Sequence, residues 1–239
     1  MALQFTQSGD AIANNVTSGV NFQSSTSPIT ITCWINAPWS GATHSYVGMY
    51  DEKQRVATGN STAIQLGSRA ANTFNVWTWG GGILVTSSIT ISPGVWTFLA
   101  YTYDGTTHRC YVNGQLGGSS TVTQLAGNFD RIYLNGYTNG GANETDTFQL
   151  DTYNYYNRTL SANELLTMYT SRGNRHGIVH GVVARYEFDG GSLGTSVSSV
   201  TNLTTYNLLY SNLIPVTPAG TTRVNYISGH ASGNLRTGI

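Results

Sequence analysis

The side chains able to do chemistry are few and scattered. Hydrolysis of a glycosidic bond needs two carboxylates held close together, one as acid and base and one as nucleophile. Three acidic pairs occur, Asp51 with Glu52, Glu144 with Asp146, and Glu187 with Asp189, and there is no Glu-x-Asp-x-Glu pattern. The first reads as a turn, and the second lies in a Gly/Asn loop. The third, in Tyr-Glu-Phe-Asp, puts both carboxylates on one strand face late in the chain. His44, His108, His176, His180 and His230 are dispersed, with no Gly-x-Ser-x-Gly elbow or phosphate loop beside them. His176 and His180 are four apart, which suits a metal on a helix, but Gly177 and Gly181 argue against a helix there. Cys33 and Cys110 sit inside strand patterns with no Cys-x-x-Cys, which excludes a structural zinc site. They read as small buried hydrophobes rather than a disulfide. Trp77 and Trp79 are the candidate sugar platform, because indole rings stack on the apolar face of a pyranose. The competing reading is two inward-facing core aromatics. No catalytic residue is expected.

The elements that must position these groups are strands. The 239 residues include 15 Tyr, 7 Phe and 28 Gly, with 39% hydrophobic residues, enough for a sizeable core. Residues 29–35 alternate cleanly, with Ile29, Ile31, Cys33 and Ile35 on one face and Thr30, Thr32 and Trp34 on the other. Residues 72–79 read as a second strand, which places Trp77 and Trp79 on the same face. An aromatic strand from Val95 to Tyr103 turns at Asp104-Gly105 and returns over His108 to Val112, and Asn113-Gly114 turns again. Further strands are expected at 130–135 and 147–156. One helix is expected, where Ser161 and Glu164 form a capping-box pattern ahead of Leu165, Leu166, Met168 and Tyr169.

Charged residues make up 9% of the chain, 11 basic against 11 acidic. There is no basic patch for nucleic acid and no apolar run long enough to span a membrane. The N-terminus has neither a basic n-region nor an apolar h-region, so no classical secretory signal is expected. A neutral, lightly charged surface suits a protein largely occupied by partners. After about residue 175 the chain turns rich in Gly, Ser, Thr and Asn. This divides it into a sandwich over 1–175 and accessory strands ending in an extended arm over 176–239. Such an arm frays unless it is tied down, on the body, on a second copy or on another protein. Its spaced hydrophobes Leu208, Leu209, Tyr210, Leu213, Ile214, Tyr226, Leu235 and Ile239 are the candidate docking residues.

Three segments carry a family resemblance. Ala2-Leu3-Gln4-Phe5 with Gly9-Asp10 resembles the opening strand of laminin-G-like, concanavalin A-like sandwiches. Val95-Trp96-Thr97-Phe98, Tyr103-Asp104-Gly105 and Tyr111-Val112-Asn113-Gly114 resemble the central hairpin of that family. Asp151 with Tyr156 through Glu164 resembles its closing strand and short helix. The resemblance covers roughly residues 2–170 and implies an all-β jelly-roll sandwich of two curved antiparallel sheets. Tyr153 and Tyr155 depart from it, standing where aliphatic residues are usual. The resemblance also implies a possible rim Ca²⁺, for which Asp10, Asp151 and the Asn143-Glu144-Thr145-Asp146 loop offer oxygen ligands. The alternative is that Asp10 and Asp151 cap turns or pair with strand amides. By analogy with tailed-bacteriophage structural proteins, the expected function is non-enzymatic capsid decoration at the virion surface. The partners would be the major capsid protein and further copies in a homo-oligomer, with no nucleic acid or membrane. The alternative is a lectin-like adsorption module that recognises host glycans.

Overall fold

The computed structural model describes residues 3–5, 12–13, 23–51, 63–78, 82–123, 127–135, 146–171, 178, 180–186, 196–197, 201–202 and 208–210. These form two large sheets and one helix. The first sheet runs Gln115–Ser120 (β11), His108–Val112 (β10), Thr97–Tyr103 (β9), Ile29–Asn36 (β4), Phe148–Tyr156 (β14), Leu3–Phe5 (β1) and Ser196–Val197 (β16). Val182–Tyr186 (β15) also pairs with β14, and Leu208–Tyr210 (β18) pairs with β15. The second sheet runs Thr201–Asn202 (β17), Ile12–Ala13 (β2), Arg131–Leu134 (β13), His44–Tyr50 (β5), Ala63–Ser68 (β6), Thr73–Thr78 (β7) and Gly82–Thr90 (β8). A small pair, Gln23–Ser24 (β3) with Asn128–Phe129 (β12), sits apart. Pairing is antiparallel except at β1–β16 and β2–β17, which are parallel.

The alternation in β4 explains the layering. Ile29, Ile31, Cys33 and Ile35 all join the core between the sheets, with Val47, Met49, Ile64 and Leu66 of the second sheet. Trp34 points to the outer face and joins a second apolar cluster with Phe98, Tyr111, Tyr156, Leu160 and Leu165. That cluster lies under Ala162–Thr170 (α1), so β4 is buried on both faces. Outer-face Thr30 is satisfied within the chain: its hydroxyl donates to the Arg158 carbonyl and accepts from Leu160 N–H. Tyr153 and Tyr155 are fully buried in the main core, and the Tyr153 hydroxyl reaches across to Met49 Sδ at 2.9 Å. A ring plus a sulfur contact fills the space an aliphatic side chain would otherwise take.

Local chemistry fixes the ends of the elements. Ser161 caps α1 and Glu164 returns the bond to the Ser161 N–H, as the capping box requires. Asn113 and Gly114 both have positive φ, 52° and 77°, the geometry of a tight hairpin turn. The Asp104 turn is wider than two residues: its Oδ1 accepts from Thr106 N–H and Thr107 N–H, and Arg109 holds Oδ2 at 2.6 Å. Gly117 and Gly118 let β11 press against β8, because a Cβ on Gly118 would lie 2.2 Å from the Thr86 carbonyl oxygen.

Cys33 and Cys110 lie in this core as free thiols. They pair with Leu99 and Tyr101 of the intervening β9, so two strand spacings, about 9.5 Å, separate them, beyond the reach of a disulfide. Burial pushes both thiols up to about 12.

Past residue 175 the chain returns to the first sheet. β15 completes the edge of β14, Val182 and Val183 are buried, and Val183 belongs to the main core. Arg185 is 6% exposed and donates to Asn154 Oδ1 at 2.7 Å. The sandwich therefore takes in residues past α1. Of the expected arm residues, Leu208, Leu209 and Tyr210 form β18 on the chain's own sheet. Leu213, Ile214, Tyr226, Leu235 and Ile239 lie outside the described residues.

Candidate functional site

Trp77 stands on β7 opposite Gln65 and Ile83, on the far side of the second sheet from core residues Phe74 and Val76. It is buried, at 3% exposure, with the Arg69 guanidinium 5.8 Å from its ring centroid. Trp79 and Asp10 lie outside the described residues, as do Glu52, Glu144, Glu187, Asp189, His176 and His230. His180 is exposed in a turn and lends its carbonyl to Arg158.

Asp151 lies opposite Trp34, at a bulge in β14 where Thr152 takes φ 54°. Here the edge of β14 changes partner, from β1 at Leu150 to β15 at Tyr153. The bulge re-aims the Asp151 carboxylate on the outer face. Among the described residues no three of His, Cys, Asp or Glu gather as metal ligands, and Asp10 with residues 143–145 lies outside them.

One cluster was not legible from spacing. Ser40 Oγ lies 2.7 Å from His44 Nε2, and Asp146 Oδ2 lies 3.7 Å from that same nitrogen. The Tyr46 hydroxyl donates to Asp146 Oδ2, and Asn135 clamps the Asp146 backbone through both of its amide atoms. A serine relay needs the hydroxyl and the carboxylate on opposite imidazole nitrogens. Here both address Nε2, so the trio joins the 40–44 loop to the start of β14 and is not arranged as a charge relay.

The sheet register assembles a different site on the outer face of the first sheet. Gln149 of β14 pairs with Asn36 of β4 on one side and with Gln4 of β1 on the other. Directly paired antiparallel residues share a face, so three carboxamides stand in one row. Beyond the last β4–β9 pair, Ile35 with Thr97, the next residues outward are Asn36 and Trp96. Trp96 packs against the outer cluster beside Trp34, which puts its indole at the β9 end of the row. Gln4 is exposed, and Trp96, Asn36 and Gln149 are partly so. Asn36 Nδ2 donates to Gln149 Oε1 at 3.3 Å. The Asn36 carbonyl and the Gln149 amino group have no partner among the described residues. Asp151 and Trp34 form the row beneath. An indole, carboxamides and a carboxylate on one sheet face can stack on a sugar ring and exchange hydrogen bonds with its hydroxyls.

Comparison with solved structures places the fold. A Bacteroides ovatus protein assigned to carbohydrate binding aligns with TM-score 0.57 at 18% identity, covering 80% of this chain and 52% of that one. The heptameric SAP-like pentraxin of Limulus polyphemus aligns at 0.50 and 14%, covering 73% and 82%. Trypanosoma rangeli sialidase aligns at 0.51 and 15%, covering 62% of this chain and 24% of the sialidase. The chain thus spans about half of the Bacteroides protein and a quarter of the sialidase. At these identities the likeness is one of fold. Comparison with curated proteins finds no match. The Laminin_G_3 family model, of the concanavalin A-like lectin/glucanases superfamily, matches residues 8–166. With that match over most of its length, on a sandwich of two sheets and one short helix, the chain belongs to the Laminin_G_3 family of concanavalin A-like lectin/glucanases.

Proposed function

We propose that this sandwich is a non-catalytic glycan-recognition module that binds through the outer face of its first sheet. The observation that carries the reading is the row Trp96, Asn36, Gln149 and Gln4, set by sheet register, with Gln4 exposed and the other three partly so. The Ser40–His44–Asp146 trio lacks a relay arrangement, and Asp104 and Glu164 are committed to Arg109 and Arg158. These features support binding without turnover. A glycan array probed with the full chain is expected to show binding that Gln149→Ala and Asn36→Ala weaken while the circular dichroism stays unchanged. Binding unaffected by both variants, or no binding at all, overturns the reading.

A second reading rests on β18. Among the described residues it is the last strand of its branch, so its outer backbone edge can add a strand from another chain. This favours decoration of a virion surface, with a capsid protein and copies of this chain as partners. A chain ending after Tyr186 would then stay folded yet lose oligomerisation in light scattering and binding to particles. Unchanged assembly would exclude β18 as the contact.

A further inference from the structure

We propose that His44 and Asp146 are the protein ligands of a zinc-class divalent cation that ties the 40–44 loop to the start of β14. Spacing is the first argument. His44 Nε2 and Asp146 Oδ2 lie 3.7 Å apart, too far for a hydrogen bond. Zinc bonds of about 2.0–2.2 Å to an imidazole nitrogen and a carboxylate oxygen, opened at the tetrahedral angle, span about 3.4 Å. A closure of about 0.3 Å therefore turns the pair into two ligands of one ion. Ser40 Oγ, 2.7 Å from Nε2, is exposed and can turn to leave that nitrogen to the metal.

Order is the second argument. The Tyr46 hydroxyl donates to the same Asp146 Oδ2, and Thr147 N–H donates to Oδ1, so both oxygens are oriented before an ion arrives. Asn135 holds the Asp146 backbone at both its N–H and its carbonyl. Outer partners of this kind keep the ligands of metal centres in place. Trp39, buried with φ 48° and packed edge-on against Tyr46 at 5.1 Å, sets the loop that presents Ser40. The His44 and Asp146 side chains are 14% and 13% exposed, so solvent reaches them and fills the remaining positions. An imidazole nitrogen beside one carboxylate selects a zinc-like ion over calcium, which takes about six to eight oxygens. With two strong protein ligands the site is weaker than a four-ligand structural centre. It uses none of the carboxamide row, so it stands or falls separately from the glycan reading.

The test strips the full chain with EDTA, desalts it, and titrates it calorimetrically with zinc chloride and, separately, with calcium chloride. One equivalent of zinc is expected to bind at least about tenfold more tightly than calcium. It should also raise the urea midpoint, because the ion joins two segments of the folded chain. His44→Ala and Asp146→Asn should each weaken zinc by about tenfold or more. Tyr46→Phe keeps the ring, loses only the hydroxyl that orients Asp146, and should weaken zinc about tenfold. His180→Ala, in an exposed turn, should leave zinc binding unchanged. Circular dichroism checks the fold of each variant, and the near-isosteric Asp146→Asn decides the matter if His44→Ala unfolds. No zinc binding by the full chain, calcium held as tightly as zinc, or zinc affinity unchanged in Asp146→Asn overturns the assignment. Zinc binding lost in His180→Ala overturns it as well, by placing the ion elsewhere.

Discussion

His108 shows what one buried side chain can demand of its neighbours. Its ring is stacked on Tyr103 at 4.4 Å, Nδ1 accepts from the Tyr101 hydroxyl at 2.7 Å, and Nε2–H donates to the Val122 carbonyl at 2.9 Å. The neutral form satisfies both nitrogens, and burial, the main cause, pushes the pKa below the ordinary 6.5. A base with a depressed folded-state pKa binds its proton first in the unfolded chain. The stability it contributes is full above 6.5 and is lost as the pH falls from there to the depressed value. Glu164, held down to about 2 by Arg158, acts in a separate window, between 4.5 and 2. Urea unfolding is expected to show lower stability at pH 5 than at pH 7.5, and His108→Phe should flatten that difference. An unchanged slope in the variant would assign the effect to another group. The candidate site, also built of single residues, was less legible than the core. Gln4, Asn36 and Gln149 meet only through the pairing of distant strands, and nothing in their local sequence marks them as neighbours.

Elements with local signals were read correctly, and those without were missed. Helix α1 begins at its Ser/Glu box, and β9–β10 follows its aromatics and turn residues. Strand β15 falls in the segment that composition marks as accessory, rich in Gly, Ser, Thr and Asn, and its need appears only where β14 has a vacant half-edge. Strand periodicity places Trp77 on one face, while its burial comes from elsewhere in the fold. Ser161→Ala removes the cap from α1 and is expected to cost about 1 kcal/mol, measured by chemical denaturation. Gly118→Ala should cost more, about 1–3 kcal/mol, because the new methyl meets the Thr86 backbone. Gly117→Ala meets the Ser87 hydroxyl, which can rotate, and should be milder. Equal tolerance of both substitutions would show that the β11–β8 seam has slack.

At the scale of the whole molecule, the sandwich extends past α1. A chain ending at Arg175 loses two buried valines, worth about 1.5–3 kcal/mol each, along with the edge partner of Tyr153 to Tyr156. It is expected to unfold at markedly lower urea than a chain ending at Tyr186, and equal midpoints would show β15 to be dispensable. The same completion of β14 governs how the protein can be made. Leu3 pairs with Leu150, and Tyr156 waits for Val182, so the central strand is assembled from both ends of the message. During synthesis at about 5–20 residues per second, an emerged Tyr156 stays without its partner Val182 for about 1–5 s. Through that interval a backbone edge in a Tyr-rich strand is available to any neighbouring nascent chain. Crowded polysomes therefore favour aggregation of this protein, and slower initiation or a bound chaperone should raise its soluble yield more than any change to the finished surface.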